Sequence, residues 1–184
     1  MRKLINSTYL TLDGVIDNPV WTSPYFAAEA AEVAGEITGG ADALLMGRAT
    51  YDGFSQAWPA MDESDPSTGA AFFNNVKKYV ASTTLKDPSW NNTEVLAGDL
   101  VEAVTKLKAE NGQDIVQYGY GSVTAQLVRA GLVDEVKFWI HPVIEGVPSF
   151  STALSDVKAM FELIGTRVFT NGVIVATYRP KATA

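Results

Sequence analysis

Two glycines and a serine near the middle of the chain have the spacing of a phosphate-binding turn. Gly119 and Gly121 follow a short segment that predicts a strand, and Ser122 stands where a helix would begin. Glycine allows a sharp turn and a close approach to a ligand, and the free N–H groups of a helix N-terminus attract an anion. A dinucleotide is the natural ligand of such a turn, although glycines at this spacing also occur in turns that bind nothing.

A second turn of this kind is predicted upstream. The run Ala43–Met46 is continuously apolar, which is typical of a strand covered on both faces, and it leads directly into Gly47 and Arg48. The sequence therefore predicts two separate backbone turns that could hold one ligand between them.

Composition narrows the class of protein. The chain has 184 residues, a net charge of −7, no cysteine and one histidine, His141. Broad nucleic-acid binding needs a concentrated basic face, and histidine or thiolate metal sites need more ligands than this chain has. We therefore expect no nucleic-acid partner and no metal. No apolar run reaches the length of a membrane span, and we expect a cytoplasmic protein with a single domain over residues 1–184.

The alternation of predicted strands and helices indicates an α/β fold with three layers (αβα) and a mixed, mostly parallel sheet. Asn171-Gly172 lies between two apolar segments and predicts a C-terminal antiparallel hairpin. The strand Glu135–His141 alternates, so we expect a drier face and a wetter face that carries Trp139 and His141.

The first long helix is predicted to begin at Ser23 and Pro24, because a capping hydroxyl followed by proline is a common helix start. Four residues at helical spacing should form its buried face: Phe26, Ala30, Val33 and Ile37.

Four separated segments together resemble one family. In order, they are TLDGVI (11–16), MGRATY (46–51), VAST (80–83) and YGYG (118–121), the last of which leads to GLVDE (131–135) and PVIEG (142–146). The chain resembles the dihydrofolate-reductase-like fold, and most closely the C-terminal reductase domain of the bifunctional riboflavin-biosynthesis deaminase-reductase and its stand-alone relatives. The resemblance spans about residues 3 to 180.

This resemblance implies NADPH-dependent hydride transfer, with the nucleotide lying across the edge of the sheet between the two turns. The implied cofactor-binding residues are Gly47, Arg48, Thr50, Ser82, Thr83, Gly119, Gly121, Ser122 and Val123. Many relatives carry an arginine where Thr83 stands, and that cation would suit the 2′-phosphate. NADPH is the expected cofactor, and NADH is the alternative.

The substrate side is less well marked. Asp13 follows the first strand and is the candidate catalytic residue, to orient a polar substrate or relay a proton; a plain Asp-Gly turn is the alternative. Four aromatic residues could form the wall of a substrate pocket or belong to the core: Trp21, Tyr25, Phe54 and Trp58. Phe26 occupies the position of the acidic residue of true dihydrofolate reductases, which argues against folate.

The resemblance leaves three functions open. The first is reduction of a small polar heterocyclic or ribosyl-bearing molecule, as in 5-amino-6-(5-phosphoribosylamino)uracil reductases of riboflavin biosynthesis. The second is a reductase of pteridines or xenobiotics, and the third is a non-catalytic nucleotide-binding or interaction protein. The resemblance also implies a homodimer, formed through the late hairpin or the strand Glu135–His141.

Overall fold

The computed structural model describes residues 1–146, 150–153 and 157–181, and the strands in these ranges form one mixed sheet. In chain order they are β1 (Leu4–Thr11), β2 (Ala41–Gly47), β3 (Lys77–Ala81), β4 (Thr93–Leu96), β5 (Asp114–Tyr118), β6 (Glu135–His141), β7 (Phe161–Val168) and β8 (Ile174–Pro180). Their order across the sheet is β4-β3-β2-β5-β1-β6-β8-β7. The six strands from β1 to β6 are parallel to their neighbours among themselves, and β8 and β7 are antiparallel.

Helices cover both faces of this sheet. They are α1 (Ala28–Gly39), α2 (Arg48–Ala57), α3 (Ala70–Asn75), α4 (Leu100–Ala109), α5 (Ser122–Arg129) and α6 (Phe150–Ala153). One core cluster packs α1, α2 and α3 on one face, and a second packs α4 and α5 on the other. The prediction of a three-layer α/β fold with a C-terminal antiparallel hairpin is confirmed.

The neighbouring strands β2 and β5 lie where the direction of chain progression reverses. After β2 the chain continues through α2 and α3 to β3 on one side, whereas after β5 it continues through α5 to β6, beyond β1. Helices that leave in opposite directions open a crevice at the carboxyl ends of the two strands, and ligands of open α/β sheets bind in such crevices.

The predicted start of the first long helix is wrong by several residues. Ser23 and Pro24 lie in a 3-10 turn, Val20–Tyr25, which Phe26 N closes by donating to Ser23 O at 3.4 Å. Ala27 is extended, so α1 begins only at Ala28. Phe26 is therefore exposed, while Ala30, Val33 and Ile37 form the buried face as predicted.

The predicted wetter face of β6 is also wrong. Trp139 and His141 are 2% and 3% exposed, although they alternate with apolar residues. Trp139 donates its indole N–H to Ser7 Oγ at 3.0 Å and packs edge-on against Phe169. Trp21 and Tyr25 pack on His141, and Phe169 packs on Trp139, so rings from the turn after β1 and from the hairpin cover this face of β6.

None of the helices in the described ranges is long and apolar enough to cross a membrane. The prediction of a single domain over residues 1–184 stays a prediction.

Candidate functional site

A cleft of about 1360 Å³ runs along the carboxyl ends of β1 to β5. The residues that line it include Tyr9 of β1, Gly47 of β2, Ala81 of β3, Leu96 of β4 and Tyr118 of β5. Pockets for drug-sized molecules measure roughly 300–1,000 Å³, so this cleft has room for an extended ligand together with a second small molecule.

The two predicted glycine turns both line this cleft and meet where β2 and β5 lie side by side. A Cβ atom at Gly47 would lie 3.3 Å from Val123 Cγ2, and one at Gly119 would lie 3.4 Å from Thr50 Oγ1. Gly119 has a φ of +77°, which favours glycine over residues with side chains. Each turn thus contacts the first residues of the other turn's helix.

Gly121 differs from these two glycines because nothing lies within 4 Å of a Cβ added to it. Its backbone is extended, with a φ of −159°, and it caps α5, whose first hydrogen bond runs from Ala125 N to Gly121 O at 2.9 Å. The open space over Gly121 therefore leads to the N-terminus of α5, where backbone N–H groups have no partner within the helix and can bind an anion.

Polar residues of β1 fix the turn after β5. The buried Asn6 donates its amide N–H to Gly119 O at 2.7 Å, and Gly119 N donates to Ser7 O at 3.2 Å. Thr8 donates its hydroxyl to Asn6 Oδ1 at 2.8 Å. Ser7 and Thr8 also line the cleft. Sequence reasoning missed these residues, although three adjacent polar residues inside a buried strand were a usable signal.

Arg48 and Ser82 line the part of the cleft that is formed by the turns after β2 and β3. Arg48 Nε donates to both carboxylate oxygens of Asp52 at 2.8 Å, one turn along α2, and both side chains are close to half exposed. Ser82 Oγ accepts from Thr84 N at 3.2 Å and from Leu85 N at 3.0 Å, which shapes the turn after β3.

The structure brings together all the residues that the resemblance implied for the cofactor. All nine of these residues line the cleft: Gly47, Arg48, Thr50, Ser82, Thr83, Gly119, Gly121, Ser122 and Val123. They come from the turns after β2, β3 and β5, and the turn after β4, Ala97–Asp99, lines the cleft beside them. Their role in cofactor binding stays a prediction.

The predicted aromatic wall is dispersed. Phe54 lines the cleft, whereas Trp21, Tyr25 and Trp58 are not among the described residues that line it. Trp58 stacks on Phe73, with ring centroids 3.8 Å apart, and belongs to the packing between α2 and α3.

Trp21 and Tyr25 pack around His141 instead. Their ring centroids lie 5.0 and 5.6 Å from the imidazole, and Tyr9 approaches it at 5.5 Å. His141 Nδ1 donates to Trp139 O at 2.8 Å. Burial lowers the pKa of His141, against the opposing effect of its hydrogen bonds to backbone carbonyls.

Of these rings Tyr9 reaches the cleft. Burial raises the pKa of Tyr9 to about 12, so its hydroxyl keeps its proton throughout the physiological pH range. A neutral phenol at the side of a cleft can donate a hydrogen bond or a proton to a bound molecule.

Asp13 lies in the loop after β1 and is not among the described residues that line the cleft. Its carboxylate accepts from Thr11 Oγ1 at 2.6 Å and from Gly146 N at 2.6 Å. These hydrogen bonds, from Thr11 first, lower the pKa of Asp13. The carboxylate thus joins the loop after β1 to the loop after β6, and a catalytic role for it stays a prediction.

Helices cover both faces of the mostly parallel sheet, and the two glycine turns meet where the direction of chain progression reverses. These features define a class of α/β protein that has a ligand cleft at the carboxyl ends of its strands. The chain belongs to the RibD C-terminal domain family, whose model matches residues 2–175. It is 32% identical over 184 residues to the uncharacterised protein YyaP of Bacillus subtilis strain 168, covering 96% of this chain and 94% of that protein.

Solved structures share the fold. A proposed riboflavin biosynthesis protein of Shewanella sp. PV-4 matches with a TM-score of 0.69 and 19% identity, over 97% of this chain and 99% of the other. A deaminase/5-amino-6-(5-phosphoribosylamino)uracil reductase of Thermotoga maritima matches with a TM-score of 0.68 and 19% identity, over 98% of this chain and 57% of the other. The predicted resemblance is thereby confirmed.

Proposed function

We propose that this chain is an NAD(P)H-dependent reductase that transfers hydride to a small polar, heterocyclic or ribosyl-bearing molecule. The observation that carries the proposal is the close approach of the two glycine turns. They meet beside β2 and β5, where the direction of chain progression reverses, and both line one extended cleft. Family membership supports a reductase-type activity. NADPH is the coenzyme that the family resemblance favours, with NADH as the alternative.

The residues present fit a dinucleotide. Gly47, Gly119 and Gly121 leave room for backbone approach to phosphate, and the N-termini of α2 and α5 supply N–H groups beside them. Ser82 and Thr83 offer hydroxyl groups farther along the cleft for the adenosine side. When bound, the coenzyme supplies the hydride, and a proton must reach the substrate from another group.

The chain itself orients the coenzyme and the substrate, and it holds the proton that the substrate receives. Tyr9 lines the cleft at the end of β1, with a hydroxyl that burial keeps protonated. We assign to Tyr9 the role of donor to the substrate, either directly or through one water molecule. Asp13 then serves to position the loop after β1, through its hydrogen bonds to Thr11 and Gly146.

Gly121→Leu tests whether this cleft binds the coenzyme, because a Cβ added there meets nothing within 4 Å and the side chain begins in open space. It should fill the space above the N-terminus of α5, weaken NADPH and NADH binding by at least about 30-fold, or about 2 kcal/mol, and leave the melting temperature of the free protein unchanged. Calorimetric titration with each coenzyme measures the first effect, and thermal unfolding measures the second.

Gly35→Leu is the matched control, since an added Cβ at this exposed position in α1 also meets nothing within 4 Å. It should bind coenzyme as the unchanged protein does. Equal binding by the unchanged protein and Gly121→Leu would contradict the proposal, and so would the absence of coenzyme binding in both. Tight binding without oxidation of coenzyme by any candidate substrate would favour a non-catalytic nucleotide-binding protein.

We also infer a homodimer formed through the hairpin of β7 and β8. Leu163 and Val168 of the edge strand β7 are 52% and 70% exposed, and the neighbouring Ile174 is 38% exposed. A long apolar edge strand is a site for pairing with another chain. Sedimentation equilibrium should give twice the monomer mass, and Leu163→Lys should reduce it to the monomer mass.

A further inference from the structure

Positive charge is almost absent from the cleft. Arg48 is the single lysine or arginine among the described residues that line it, whereas Asp17 and Asp99 both line it. Every lysine and arginine of the chain lies within the described ranges, so the masked segments add no cation. With Arg48 already paired to Asp52, the cleft lining has a net negative formal charge before any ligand binds.

The distribution along the sequence explains this. Residues 4–76 form β1, β2, the first three helices and the loops after β1 and β2, and they contain ten carboxylates and one cation, Arg48. Other cations lie at the opposite edge of the sheet, where the parallel strands begin. Arg2 pairs there with Asp42, Lys3 with Glu135 and Lys77 with Glu94.

The anion-binding features that do line the cleft fit the dinucleotide. Arg48, the two glycine turns and the N-termini of α2 and α5 converge on the place where the proposed function puts the pyrophosphate. The substrate end, around Tyr9 and the loop residues Ile16–Pro19, contributes a carboxylate, Asp17, and an amide, Asn18. A phosphate bound there would meet the like charge of the exposed Asp17 and no opposite charge, which is unfavourable.

We infer that the molecule reduced in this cleft carries no phosphate group and is neutral or cationic. The inference rests on the proposed function and makes it more specific. It separates this chain from the reductase activity named for the Thermotoga protein, whose substrate is a phosphoribosyl compound. Recognition at the substrate end then depends on ring packing and neutral hydrogen bonds from Tyr9 and Asn18.

Matched pairs of candidate substrates test the inference. One pair is 5-amino-6-ribosylaminouracil and its 5′-phosphate, and another is 6-hydroxymethyl-7,8-dihydropterin and its phosphate ester. Steady-state oxidation of NADPH and NADH should give a kcat/KM for the unphosphorylated member that is at least about tenfold higher, a difference of about 1.4 kcal/mol. A higher kcat/KM for a phosphorylated member of any pair would overturn the inference.

Asp17→Arg adds the missing cation at the substrate end. It should raise kcat/KM for the phosphorylated member relative to the unphosphorylated one by about fivefold, because opposite charge favours both encounter and binding. Asp65→Arg makes the same charge change in the exposed loop before α3, outside the described cleft lining, and should leave the ratio unaltered. An equal ratio in both variants would count against the inference.

Failure of the proposed function gives a different result. Loss of coenzyme binding, or intact binding with no oxidation by any pair, would contradict the reductase proposal. In the second case, competition between the two members of each pair for the NADP⁺ complex still decides the inference. Weaker binding of the phosphorylated member supports it, and tighter binding overturns it.

Discussion

The two ends of the cleft are built by different means. At the end near β2 and β5, glycine backbone, helix N-termini and one arginine surround the open space. The two turns lie close together there, because a Cβ added at Gly47 would meet Val123 and one added at Gly119 would meet Thr50. At the end near β1 and β6, Tyr9 rests on a buried group of aromatic rings around His141. The first end suits a ligand with phosphates, and the second suits an uncharged ring.

This difference implies that the two ends should respond to different changes. Backbone geometry controls the first end, so substitutions at its glycines should alter coenzyme affinity and leave substrate selectivity alone. Side-chain packing controls the second end, so substitutions or pH changes there should alter kcat or KM for the substrate and leave coenzyme affinity alone.

The largest effect is expected for Gly119→Val. A valine at a φ of +77° is strained, and its branches would meet Thr50 Oγ1, which lies 3.4 Å from an added Cβ. We expect the free energy of unfolding to fall by about 1–3 kcal/mol and coenzyme binding to weaken by about 100-fold or more. Urea denaturation and coenzyme titration measure the two effects.

Gly121→Val is the matched control for strain, since its backbone is extended and its added Cβ meets nothing within 4 Å. It should weaken coenzyme binding without loss of stability. If both variants lost the same stability, the contact between the turns would not be what fixes this end of the cleft.

The coenzyme end was predictable from sequence because its information is local. Gly47 and Gly119 each directly follow a strand and precede a helix, so the order of elements alone places them at one edge of a parallel sheet. The N-terminal cap of α4 is local in the same way, because Asp99 accepts from Glu102 N, three residues later, at 2.9 Å.

The substrate end was not predictable because its neighbours are distant in sequence. Trp21 and Tyr25 meet His141 across more than a hundred residues, and nothing in either segment indicates that β6 lies between β1 and the hairpin. The predicted wetter face of β6 was wrong because the alternation in this strand does not reveal that distant aromatic rings pack on Trp139 and His141. Asp13 could be placed in the right loop, but its hydrogen-bond partner Gly146 could not be predicted.

The next largest effect is expected at the substrate end. Tyr9 lines the cleft, and Tyr9→Phe removes its hydroxyl but keeps the ring that packs on Trp139 and His141. We expect kcat to fall by about 100-fold, within the usual range for loss of a general acid, while the coenzyme Kd stays within about twofold. Because the pKa of Tyr9 is about 12, the unchanged enzyme should show no loss of activity from this group below about pH 11.

Rapid-mixing measurements of coenzyme oxidation separate kcat from binding in this variant. Tyr25→Phe is the control, because Tyr25 also packs on His141 but is not among the described residues that line the cleft. Equal activity of the Tyr9→Phe variant and the unchanged enzyme would remove Tyr9 from the mechanism.

A smaller effect is expected from the ion pair between Arg48 and Asp52, beside the proposed coenzyme site. Arg48 donates to Asp52 across an exposed turn of α2, so under the proposed function the carboxylate would compete with a coenzyme phosphate for the guanidinium group. Arg48→Ala should weaken NADPH binding by about tenfold, and Asp52→Asn should tighten it by about twofold to threefold. Thermal shift with NADPH and NADH measures both, since ligand binding to the native state raises the melting temperature.

NADPH should stabilise the unchanged protein more than NADH does, and Arg48→Ala should remove most of that gain. An unchanged thermal shift in Arg48→Ala would show that Arg48 does not contact the coenzyme. Either result leaves the substrate end unaffected, because Arg48 lies at the start of α2 and outside the cluster of rings around His141.

The smallest effect is the pH dependence of the substrate end. Burial lowers the pKa of His141 below its ordinary value of about 6.5, so the folded protein holds the ring neutral while the unfolded chain binds a proton. The contribution of the neutral His141 ring to the free energy of unfolding is therefore complete above about pH 6.5. It is lost as the pH falls towards the pKa of the folded state, at a rate of no more than about 1.4 kcal/mol per pH unit.

The rings that face His141 are Tyr9, Trp21 and Tyr25, and His141 is the one histidine of the chain. Protonation of His141 should loosen the packing beneath Tyr9, so KM for the substrate should rise as the pH falls through the lowered pKa of the folded protein's imidazole, while the coenzyme Kd changes little. In His141→Gln the rise in KM should disappear, because glutamine does not titrate. A parallel rise in both constants would mean that the two ends of the cleft are coupled, and the separation between a backbone-built end and a side-chain-built end would then be wrong.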